Sequence, residues 1–91
     1  MKAWELLSDP AKWCQGQVAK DNEGNGLPAR SNDAVKWCAL GAVFKCYPND
    51  NIAWQMRGRI EEITKVPVGS WNDYPDRRHQ DVVDLLKRLD I

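Results

Sequence analysis

Apolar residues recur along most of this chain at the three- and four-residue spacing of amphipathic helices, and no stretch alternates apolar with polar residues for long enough to read as a strand. The pattern predicts about five short helices. The first covers residues 2–7 and ends at "SDP", where Ser8 or Asp9 caps a second helix over 10–20 with Pro10 in its first turn. Ala11, Cys14 and Val18 would share one face of that second helix. Residues 21–32, "DNEGNGLPARSN", are rich in Gly, Asn and Asp and read as a loop.

The third helix, over 33–47, is capped by Ser31 or Asn32 and stopped by Pro48. Wound at 100° per residue it is apolar nearly all round: Ala34, Trp37, Leu40, Gly41 and Phe44 take one side, and Val35, Ala39, Ala42, Val43 and Cys46 much of the other. A helix of that kind is surrounded by its neighbours, so it belongs at the centre. Asn49 or Asp50 caps a fourth helix over 51–65, with Ile52, Met56, Ile60 and Ile63 facing inward. "VPVGS" breaks it, "WNDYPD" (71–76) reads as a turn, and a last helix over 76–89 turns Val82, Leu85, Leu86 and Leu89 inward. The expected fold class is therefore all-α, a compact bundle forming a single helical domain over residues 1–91.

Composition narrows the function. Thirteen basic and thirteen acidic residues cancel, which argues against a nucleic-acid or membrane-surface binder. The opening "MKAWELLSDP" lacks the apolar segment of a signal peptide, and the three cysteines show no CxxC spacing, so a cytoplasmic location is expected. One triplet, "KWC", occurs twice, at Lys12-Trp13-Cys14 and Lys36-Trp37-Cys38, each followed by Gly, Val and Lys. Two units are too few for a solenoid. They read as two similar helices meeting through small residues, with Trp37 the more buried of the two tryptophans.

The motifs "WCQG", "NDAVKWCALGA" and "WND" resemble those of a family of small bacterial and phage proteins defined only as a domain of unknown function. The resemblance runs from Trp13 to Leu86. It implies a helical fold and lends no activity. Arg77-Arg78 stand where such proteins often place a helix-capping Thr, which leaves the cap of the last helix open.

Several residue sets could carry chemistry. Cys14, Cys38, Cys46 and His79 contain no close ligand pair, and on one helix Cys38 and Cys46 would lie about 12 Å apart along the axis, too far for one ion or a disulfide. A Cys–His pair using His79 requires an accessible, electropositive thiol, which a cysteine inside an apolar helix is not. "DNEGNG" resembles a calcium loop but has no Glu at its twelfth position. No metal, no cofactor and no catalytic residue is expected.

Two surfaces remain. Trp71, Asn72 and Asp73, beside Arg77, Arg78 and His79, offer either turn-capping side chains or a small-ligand or hydrolytic site with an aromatic platform and a basic edge. Trp54 winds away from the inner face of the fourth helix, in company with Arg57, Gly58 and Glu61, as an anchor for a partner or for self-association would. The leading expectation is a non-enzymatic binding protein acting through Trp54, Arg57 and Glu61, with inhibition of a host or defence factor as the role that fits the resemblance. The ligand site is the alternative.

Overall fold

The computed structural model describes residues 1–91 and shows a mixed α/β architecture. Five helices, α1 (Ala3–Leu6), α2 (Ala39–Cys46), α3 (Asp50–Thr64), α4 (Val68–Asn72) and α5 (His79–Arg88), pack with three short strands, β1 (Ala19–Lys20), β2 (Gly26–Leu27) and β3 (Lys36–Trp37). The strands form an antiparallel sheet in the order β2-β1-β3. The all-α expectation is thereby corrected. Ala19 pairs with Leu27 on one side and Trp37 on the other, and Lys20 likewise with Gly26 and Lys36.

Two of the expected helices fail, for related reasons. Of the one expected over 10–20, only a 3₁₀ turn at Pro10–Lys12 forms, capped by the Asp9 carboxylate, which accepts from the Ala11 amide at 2.9 Å. The chain then runs extended into β1. Of the one expected over 33–47, only the second half is helical. Residues 35–38 bond instead to the β1 segment, with Val35 N–H donating to Lys20 C=O at 2.8 Å and Cys38 N–H to Val18 C=O at 3.1 Å. Those long-range bonds, together with burial of the Trp37 ring, outweigh the helical preference of "DAVKW". The start of α2 is satisfied by unusual means. Cys38 is its N-cap, its sulfur accepting from the Gly41 amide at 3.3 Å.

The Trp-Cys step of each "KWC" unit is accordingly extended and not helical. Trp13 and Trp37 form a parallel bridge, and Cys14 N–H donates to Trp37 C=O at 3.0 Å. Trp37 is buried, with its indole N–H donating to Ala29 C=O at 2.9 Å, while Trp13 is half-buried. Gly41 makes the junction of sheet and helix feasible. A Cβ there would stand 2.0 Å from the Val18 carbonyl oxygen, so only glycine lets α2 come this close.

Sixteen buried residues form one cluster drawn from all five helices, β1, β3 and the connecting or terminal residues Leu7, Ala29 and Ile91. α2 packs on α1, α3 and α4, which keeps it the central helix at half its expected length. In α3 the buried line passes through Ala53 and Ile60 with Met56 beside it, whereas Ile52 and Ile63, expected inside, are 41% and 43% exposed. α4 occupies part of the stretch read as a helix-breaking turn. α5 follows its amphipathic pattern, burying Val82, Val83 and Leu86. No helix is long and apolar enough to cross a membrane.

Candidate functional site

α4 delivers Asn72 to the interior, where it is fully buried. Its Oδ1 accepts from the Trp13 indole N–H at 2.7 Å and from the Ala39 amide at 2.9 Å. Its Nδ2 donates to Cys14 C=O at 3.1 Å and to Asp73 Oδ1 at 3.0 Å. An amide side chain has two acceptor positions and two donors, so Asn72 is saturated. It ties the first "KWC" unit to the helix that follows the second, and supplies an N-terminal amide of α2 with a partner from 33 residues away. Asp73 serves the same junction by accepting from the Gly16 amide at 3.0 Å. Gln15 closes it, donating to Asn72 C=O at 2.9 Å.

The neighbouring residues are also engaged. The Arg77 guanidinium lies 4.0 Å above the Trp71 ring and 5.3 Å from that of Tyr74, while its Nε donates to Trp71 C=O at 2.8 Å. Arg78 stands apart: it is exposed and pairs within the first turn of α5 with Asp81, at 3.6 Å. The cap left open by the sequence comes from that same Asp81, whose carboxylate accepts from the Arg78 amide at 3.0 Å. His79 donates through Nε2 to Leu7 C=O and leans on Trp13, ring centres 6.1 Å apart. The structure thus brings Trp71, Asn72, Asp73 and Arg77 together, adds His79 by way of Trp13, and leaves Arg78 outside.

All three cysteines are free thiols. Burial pushes Cys38 from 9.0 up to about 11, and raises Cys14 and Cys46 in the same direction. Thiols held protonated this way are poor nucleophiles at neutral pH. No three His, Cys, Asp or Glu side chains converge as metal ligands would.

The second surface is built on α3 and α2. Trp54 is 56% exposed, yet it is held on two sides. Its ring meets Phe44 edge-on at 6.1 Å and 90°, and the Arg57 guanidinium lies 4.7 Å over its face. Glu61 fixes Arg57 in turn, with Oε2 3.2 Å from Nε, and the same oxygen accepts from the Val68 amide at 2.9 Å, joining α3 to the start of α4. Phe44 is bordered by Arg30, whose guanidinium lies 5.6 Å from the ring, donates to the carbonyls of Phe44 and Tyr47, and pairs with Asp50 at 2.8 Å. Beside Phe44 opens an apolar cleft of about 240 Å³ lined by Val18, Pro28, Ala29, Arg30 and Phe44. Trp54, Arg57 and Glu61 were legible from helical spacing. Phe44, Arg30 and the cleft were not, because the contact of α2 with α3 and the loop carries no local sequence signal.

Fold and sites together define a small α/β domain in which a short sheet and a helical layer are knotted at one saturated asparagine and leave one aromatic face open. The chain belongs to a family of unknown function, DUF6197, whose pattern matches residues 1–89. Comparison with curated proteins and with solved structures gives no match.

Proposed function

We propose that this protein is a non-enzymatic, cytoplasmic binding module that engages another protein through the Trp54 face. The observation that carries the reading is the state of Trp54 itself: more than half exposed, but stacked edge-on against Phe44 and covered on one face by Arg57. A large aromatic left open to solvent forgoes the gain from burial. One already held in place loses little conformational freedom when a partner covers it. An aromatic anchor beside an Arg, next to an apolar cleft, is the composition of an interface centre. The balanced net charge favours a protein over a nucleic acid as partner.

The ligand or hydrolytic reading around Trp71, Asn72, Asp73 and His79 has less support. Asn72 has no free donor or acceptor, and Arg77 and His79 are bonded to main-chain carbonyls. The test is a paired measurement of wild type and Trp54→Ala against a partner recovered from the native host, with sedimentation to detect self-association. The expected result is a loss of about 2 kcal/mol or more in association with the fold intact. Equal binding by both proteins would refute the reading.

A further inference from the structure

A separate concavity of about 630 Å³ opens beside the first "KWC" unit, lined by residues that include Trp13, Cys14, Lys20, Lys36, Asp21 and Glu23. Its volume falls within the roughly 300–1,000 Å³ of small-molecule sites. The antiparallel register sets Lys20 of β1 directly opposite Lys36 of β3. Opposed residues on neighbouring strands have Cβ atoms about 5 Å apart and point to the same side of the sheet, and like charges there are destabilising. Neither lysine belongs to any of the molecule's four ion pairs.

The two carboxylates that line the same cleft form no ion pair with either lysine. Asp21 is occupied by its own loop, accepting from the amides of Glu23 and Asn25, both at 2.9 Å, and those bonds hold its pKa below the ordinary value. Glu23 is exposed on the loop and forms no ion pair. Burial raises the Cys14 thiol, and the charges of Lys20 and Lys36 act on it in the opposite direction, so both lysines stand within electrostatic reach of the same lining residue.

We propose that this cleft binds a small ligand through a dianionic phosphoryl group held between the ammonium groups of Lys20 and Lys36. Two lysines at directly opposed strand positions, both lining one cleft, match one compact, doubly charged oxyanion better than a monoanionic carboxylate. An extended polyanion is disfavoured, because Asp21 and Glu23 bound the same cleft. The site shares no residue with the Trp54 face, so either can fail without the other.

The test is an NMR titration with inorganic phosphate at low ionic strength, with acetate at matched ionic strength as the control. Phosphate should produce saturable shifts at Lys20, Lys36 and Cys14 and raise the melting temperature, while acetate does neither. Lys20→Gln and Lys36→Gln should each weaken binding by about tenfold or more. Glu23→Gln should strengthen it, and Lys45→Gln on the exposed side of α2 should leave it unchanged. Without phosphate, Lys36→Gln should melt no lower than wild type, because it relieves a like-charge pair. The proposal is overturned if no saturable shift occurs, if acetate produces the same shift, if the Lys20→Gln/Lys36→Gln double variant still binds, or if Lys36→Gln alone lowers the melting temperature.

Discussion

Asn72 and Trp54 sit on neighbouring helices and use their side chains in opposite ways. At Asn72, four hydrogen bonds converge on one buried amide, and nothing is left for a ligand. At Trp54, the bulkiest apolar side chain on the surface is held by Phe44 and Arg57 and left open. A buried polar group must find all its partners inside the molecule, because each missing bond carries the full cost of desolvation. An exposed aromatic has no such obligation, so its fixed position is available for binding. The contrast places stability on the α4 junction, and association through the α3 face is what we propose for Trp54.

The most severe test of the stability side is Trp37→Ala. The ring is 6% exposed and anchors β3 through Ala29, so its loss should cost roughly 3–5 kcal/mol. A denaturant melt that left the midpoint unmoved would remove β3 from the core. Next is Asn72→Ala, which strands the Trp13 indole N–H, the Ala39 amide and the Cys14 carbonyl. A loss of about 3 kcal/mol is expected. A much smaller loss in chemical denaturation would mean that water replaces the amide, and the junction would no longer differ in kind from a surface turn.

A third test concerns pH. The folded state holds the Cys38 proton more tightly than the unfolded chain, whose thiol keeps the ordinary 9.0, because burial lifts the folded value to about 11. This contribution is fully present below the unfolded value and is lost as pH rises through the folded one. It amounts to something on the order of 2 kcal/mol. Cys38→Ser keeps an acceptor for the Gly41 amide but does not titrate in that range, so its stability should decline less steeply under alkali. Parallel slopes for the two proteins would show that the thiol is not sequestered. The smallest effect is expected at Trp54→Ala, a change in stability of about 1 kcal/mol or less, since the fold loses only the edge-on pair with Phe44 and the exposed stacking of Arg57. Unfolding of this variant would make Trp54 a core residue and erase the contrast with Asn72.

Local signals placed α3 and α5 well. Asn49 caps α3, its Oδ1 accepting from the Ile52 amide at 3.2 Å, and α5 carries the heptad-like spacing of Val82 and Leu86. The same reasoning turned α3 too far toward Ile52 and Ile63. Hydrophobicity ranked isoleucine above alanine, whereas close packing against α2 selected the small Ala53 for the buried line. Asn72 was singled out from the sequence beside Asp73, with capping and ligand binding both open. Its actual partners, Trp13, Cys14 and Ala39, are remote in sequence, and no spacing rule reaches them.

By itself, the sequence determined what short-range physics controls: the amphipathic helices of the C-terminal half, the proline and asparagine boundaries, the exposure of Trp54, and a net charge of zero. Tertiary structure decided everything that depends on pairing across distance. Two-residue strands have no periodicity to read and exist only because Ala19 and Lys20 meet Trp37 and Lys36. The "KWC" units look helical in isolation because each lies in an apolar, helix-compatible stretch. Their Trp-Cys steps become extended because backbone bonds to a remote segment, a buried indole and one shared asparagine together stabilise that state more than a local helical turn would.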